Sequence, residues 1–70
     1  SENYRLEQAI ARLPDSFREI VLLRYYSGLS CSQVAEKLNK PLGTITKMLS
    51  RAYGMLREIL ESRSDTEVPK

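Results

Sequence analysis

The sequence predicts an all-α fold, a compact four-helix domain that contains a helix-turn-helix and has no wing. Three observations predict it. Apolar residues recur at steps of three and four in separate stretches, as amphipathic helices require. Pro14, Gly28 and the pair Lys40-Pro41 punctuate the chain between those stretches. Nothing in the chain carries the signals of a strand.

Leu6, Ala9, Ile10 and Leu13 fall at i, i+3, i+4 and i+7, the stripe of a first helix. Pro14 has no N–H and clashes with a preceding helical turn, so that helix stops near Leu13. Asp15 then caps the second helix, or Pro14 takes its first position. Phe17, Ile20, Val21, Leu22, Leu23, Tyr25 and Tyr26 make the second helix apolar on more than one side, which places it at the centre of the bundle. Gly28 supplies a left-handed residue to end it.

The third start is better marked. Ser30 and Gln33 have the spacing of a capping box, and Leu29 and Val34 that of a hydrophobic staple. Val34, Ala35 and Leu38 form the buried edge of a short helix, with Ala35 small enough for a close crossing. Asn39 tolerates the left-handed conformation of a turn, and Lys40-Pro41 cannot continue the helix smoothly. A longer fourth helix begins between Leu42 and Thr44, with Ile45, Leu49, Ala52, Leu56 and Ile59 facing inward. Gly54 weakens it by about 1 kcal/mol relative to Ala. It is flanked by good helix formers, so the helix is expected to run through it. The periodicity stops at Ser62, which divides the chain into a domain at 1–61 and a frayed or disordered tail at 62–70.

Seventy residues make one small domain with no room for a deep substrate cavity. No apolar run approaches the roughly 18–20 residues of a membrane span, and no signal peptide opens the chain. Ser1 is the expected edge of a longer protein. Cys31 is the only cysteine and histidine is absent, so an internal disulfide and a Cys/His zinc site are both excluded. Cys31 falls in the first turn of a helix, where a thiol's pKa can drop, yet it reads as a small, partly buried residue without a redox task. An unpaired thiol with no secretion signal suits the cytoplasm. Without clustered carboxylates, a phosphate-cradling loop or metal spacing there is no catalytic constellation, no cofactor is expected, and a binding module is expected in place of an enzyme.

Charge is unevenly spread. Residues 1–38 carry five basic and five acidic side chains, whereas the nineteen residues 39–57 carry Lys40, Lys47, Arg51 and Arg57 and no acid. The positive field thus centres on the second helix of the helix-turn-helix, which points to double-stranded DNA. With Ile45, Leu49 and Ala52 inward, Thr44, Thr46, Lys47, Ser50, Arg51 and Gly54 turn outward. Arg51 is placed to read guanine through its planar fork, and Lys47 to meet guanine or a phosphate. Thr46 and Ser50 serve as short hydrogen-bonders or pack on a thymine methyl. Thr44 caps the helix, contacts phosphate, or does both. The N–H groups of Ser30, Cys31 and Ser32 face a phosphate at the start of the third helix, and Lys40 and Arg57 add sequence-independent attraction. Tyr4, Tyr25, Tyr26 and Tyr53 sit at helical spacing and read as core or rim packing, with no platform for single strands.

Several of these residues together resemble a known family. They are Leu13-Pro14-Asp15-Ser16-Phe17-Arg18-Glu19-Ile20-Val21-Leu22-Leu23-Arg24-Tyr25, then Gly28-Leu29-Ser30, Val34-Ala35, Gly43-Thr44-Ile45 and Leu49-Ser50-Arg51-Ala52. The pattern, over about residues 6–60, resembles region four of bacterial RNA polymerase sigma factors, most closely the extracytoplasmic-function class. The resemblance implies binding of the promoter −35 element, docking on the β-subunit flap of core polymerase, and often an anti-sigma partner. It carries base and phosphate contacts to Thr44, Thr46, Lys47, Ser50 and Arg51, and polymerase docking to exposed apolar residues of the first two or three helices. Asn39 stands where that family usually has glycine, and Lys40 where it has an aliphatic residue. Thr46 and Met48 stand where basic residues are common.

Two other readings fit a four-helix chain of this kind. One is the output domain of a response regulator, which usually dimerises through its last helix, whereas a monomer is expected here. The other is a helical module that binds only protein, against which the acid-free stretch argues.

Overall fold

The computed structural model describes residues 2–67, with side-chain surroundings defined over 4–62. Four helices follow one another: α1 Glu2–Ala11, α2 Asp15–Tyr25, α3 Cys31–Leu38 and α4 Leu42–Glu67. No strand occurs among the described residues.

The core draws on every helix. Ala9 and Ile10 of α1, Leu13 after it, Ile20 and Val21 of α2, Val34 and Ala35 of α3, and Ile45, Leu49, Ala52 and Leu56 of α4 are all buried. These are the stripes that the periodicity marks, and no polar or charged residue among the described ones is buried with them. Full burial of a side chain such as Ile45 stabilises by roughly 1.5–3 kcal/mol, so the four α4 positions fix which face of that helix turns inward.

The centre of the bundle is α4 and not α2. Both touch all three other helices, while α1 and α3 do not meet. However, α4 buries four residues against two on α2. Of its other apolar residues Phe17 and Leu23 are only partly buried, and Leu22, 37% exposed, and Tyr25, 55% exposed, lie at the surface with Tyr26 just beyond the helix end, 57% exposed. A helix apolar on several sides need not be central if one of those sides is left uncovered.

The connections are short and held by backbone geometry. After α1, Arg12 and Leu13 donate to the carbonyls of Ala9 and Ile10, each at 3.1 Å, which tightens the last turn. Pro14 is extended and occupies the N-cap of α2 without a side-chain cap, and Asp15 is the first helical residue. Neither of the two starts read from the sequence is therefore adopted, because proline's φ also suits the residue ahead of the helix. Gly28 has φ 72°, the left-handed value its place in the sequence requires, and Leu29 N–H then reaches back to the Leu23 carbonyl at 3.1 Å.

At the far end α4 continues to Glu67, past the boundary the periodicity sets at 61. Loss of an apolar stripe removes packing but not helical hydrogen bonding, and the next breaker is Pro69. Residues 68–70 of the expected tail lie outside the described residues.

Candidate nucleic-acid interface

The start of α3 is built as its sequence demands. Ser30 is extended, its hydroxyl accepts from Gln33 N–H at 3.1 Å, and Gln33 Oε1 accepts from Ser30 N–H at 2.8 Å. This reciprocal box satisfies two first-turn donors. It also corrects one expectation, because the Ser30 amide is taken by Gln33 and is not offered to a phosphate. The amides of Cys31 and Ser32 are the ones that neither half of the box engages. Ser30 and Ser32 are exposed and Cys31 is half-buried.

The turn is equally determined. Asn39 has φ 57° and ψ 49°, and its N–H donates to Glu36 while that of Lys40 donates to Ala35 at 2.9 Å. These two bonds make a Schellman motif, which closes α3 by using its last carbonyls. Asparagine is the non-glycine residue best suited to that backbone, since its short polar side chain tolerates it. Pro41 follows, and its carbonyl accepts from Thr44 at 3.0 Å and Ile45 at 3.2 Å, so α4 begins at once. Ala35, 7% exposed, is a small buried residue of α3, the helix that packs on both α2 and α4.

Burial of Ile45, Leu49 and Ala52 leaves Thr44, Thr46, Lys47, Ser50 and Arg51 exposed at the leading end of α4. Thr44 is the third residue of the helix and so is not its N-cap, which corrects one of its two expected roles. Thr44, Lys47 and Arg51 share a shallow groove of about 440 Å³, whose apolar lining includes the half-buried Phe17 and Met48, with Pro41 and Gly43 completing it. Thr46 and Ser50 lie on the neighbouring edge, four residues and about one turn apart. Lys40 is exposed in the turn, and Arg57 is exposed further along, on a different side of the helix from Arg51. The apolar lining has no signature in the sequence, because Phe17 and Met48 come from helices that meet only in the fold.

Three arginines outside this stretch are structural. Arg18 donates to the Leu13 carbonyl at 3.0 Å and the Ala11 carbonyl at 3.3 Å and pairs with Asp15, which closes the carbonyl end of α1. Arg5 donates to the Leu60 carbonyl at 3.3 Å and ties α1 to α4. Arg24 donates to the Leu29 carbonyl at 2.7 Å and holds the residue just ahead of the α3 cap. The four cations of 39–57, by contrast with these three, are all exposed.

Tyrosines flank the motif. The rings of Tyr25 and Tyr53 meet edge to face with centroids 6.2 Å apart. Burial, and then the neighbouring Tyr25, holds the Tyr53 phenol above its ordinary value of 10.0. All four tyrosines are exposed, so they pack at the rim and not in the core.

A short helix closed by a Schellman turn, an immediate second helix and a bare cationic leading face together make a helix-turn-helix. Residues 4–56 match the family model described as Sigma-70, region 4. The chain belongs to the sigma-70 region 4 family. It is similar to the ECF RNA polymerase sigma factor SigW of Bacillus subtilis, 36% identical over 55 residues, which cover 79% of this chain and 29% of the relative. It is also similar to the ECF RNA polymerase sigma factor RpoE of Cereibacter sphaeroides, 37% identical over 57 residues, which cover 81% and 32% respectively. This region 4 chain thus spans about a third or less of the length of these relatives. No solved structure matches it significantly. No helix among the described residues is long and apolar enough to cross a membrane.

Proposed function

We propose that this chain is the promoter-reading domain of a sigma factor, which recognises the −35 element and so directs RNA polymerase to initiate transcription. The observation that carries the reading is the outward placement of Thr46, Lys47, Ser50 and Arg51, in a stretch without acid, on a helix whose opposite stripe is buried. The leading half of α4 enters the major groove, where Arg51 pairs with guanine O6 and N7 and Lys47 meets guanine or a phosphate. The first-turn amides of Cys31 and Ser32, with Ser30 and Thr44, sit against the phosphate backbone, and Lys40 and Arg57 add attraction without sequence preference.

Core polymerase docks elsewhere in this reading. Between α1 and α2 lies a shallow cavity of about 270 Å³, lined by Glu7, Ile10, Ala11, Arg18, Leu22 and Tyr26. Its lining comes from α1, α2 and the Tyr26 cap of α2, with nothing from α3 or α4, so the β-subunit flap, or an anti-sigma factor, can hold it while α3 and α4 face DNA. The domain acts as a cytoplasmic monomer and as a binding module, not an enzyme. That both relatives are named RNA polymerase sigma factors supports the sigma-factor reading.

The test is the double substitution Lys47→Ala and Arg51→Ala, measured for promoter binding and polymerase docking in the sigma factor that carries the domain. Promoter recognition should be lost while docking and melting temperature hold. Arg51→Ala alone should reduce discrimination at one base pair by about 1–3 kcal/mol. Unchanged promoter recognition in the double variant would overturn the reading in favour of a protein-binding module.

A further inference from the structure

We propose that Thr46 reads a methyl group on the floor of the major groove, the C5-methyl of a thymine, and does so with its own γ-methyl and not its hydroxyl. The inference rests on the promoter-reading role and specifies what one residue of that face recognises.

The Thr46 hydroxyl donates to the Gly43 carbonyl at 3.0 Å, inside the first turn of its own helix. A hydroxyl has a single proton to donate, so that bond uses its whole donor capacity. Threonine in a helix adopts this rotamer readily because the earlier carbonyl lies within reach. Thr46 is exposed, and the γ-methyl is the group on its Cβ that this hydrogen bond leaves uncommitted.

The surroundings let that methyl reach a base. Gly43, three residues earlier, has no side chain, and the place a Cβ would fill has nothing within 4 Å. Ser50, one turn later, is small and exposed. Thr46 is therefore flanked one turn either way by little side chain, beside the groove that Lys47 and Arg51 help to line. Cations on one edge and a bare methyl on the next match a floor that offers guanine acceptors beside a thymine methyl.

Two substitutions separate the methyl from the hydroxyl: Thr46→Val keeps the first and Thr46→Ser keeps the second. The probe is a duplex selected from random DNA by the unaltered 70-residue chain, then resynthesised with each thymine in turn replaced by uracil, which lacks the methyl. One replacement should weaken binding of the unaltered chain about fourfold, the worth of one buried methyl. The same replacement should weaken Thr46→Val equally and leave Thr46→Ser unaffected, with melting temperatures confirming that both variants fold. The inference is overturned if no uracil position separates the unaltered chain from Thr46→Ser, or if Thr46→Val loses the discrimination that Thr46→Ser keeps. If the unaltered chain selects no sequence at all, the promoter-reading role fails first and this inference with it.

Discussion

Replacing Gly54 by alanine should make the protein more stable. Gly54 lies inside α4, away from both ends, and its backbone is not left-handed. A Cβ built there meets no atom within 4 Å, so the added methyl neither clashes nor fills a hole. The expected change is thus the helix preference alone, a gain of roughly 0.5–1 kcal/mol, arising from the entropy glycine loses on folding. For a domain of this size each kcal/mol raises the melting temperature by about 4–8 °C, so the rise should be about 2–8 °C. Thermal and urea unfolding followed by circular dichroism at neutral pH measure it directly. The slope against urea should not change, because the surface exposed on unfolding is nearly the same. A melting temperature unchanged or lowered would refute the reasoning, and with it the claim that α4 passes through Gly54 as a regular, solvent-facing helix.

Other substitutions probe the motif from different sides. Asn39→Ala should cost about 1–2 kcal/mol, the price of a left-handed backbone without a tolerant side chain, whereas Asn39→Gly should be neutral or stabilising in the same melts. Ala35→Leu should destabilise by about 1–3 kcal/mol, since the added atoms fall on a buried position of the core; full stability would mean that the core there is loosely packed. The raised pKa of Tyr53 favours its neutral form in the folded state. Its contribution to stability is therefore complete below pH 10.0, the ordinary value, and is lost as pH rises from there through the raised one. Urea melts of the unaltered chain and Tyr53→Phe across that range should diverge in this direction, and parallel curves would count against it.

Local chemistry was legible in the sequence because each signal sits within a few residues of its effect. Ser30 and Gln33 announce their box three residues apart, Gly28 and Asn39 mark the two positive φ values, and the steps from Ile45 to Leu56 mark the buried face. The outward residues of α4 followed from that face by helical geometry alone. What stayed hidden depends on pairs distant in sequence or on covering. Arg5 and Leu60 are joined across 55 positions, which no periodicity records. The apolar richness of α2 does not say that Leu22 and Tyr26 go uncovered, nor does a hydroxyl's presence in Thr46 say which partner it takes. Hydrophobic pattern reports packing, so the stripe that fades after Ile59 does not say where α4 stops, and the helix continues to Glu67.

The Arg24 contact to Leu29 has a bearing on how loss-of-binding screens of this domain would be interpreted. It works as a strut, so if the proposed reading holds Arg24→Ala should let the leading end of α3 wander and weaken DNA binding without removing a phosphate contact. By charge alone it would be grouped with Lys40 or Arg57. Titration against salt tells them apart: deleting a phosphate contact flattens the dependence, whereas deleting a strut shifts the whole line downward at constant gradient.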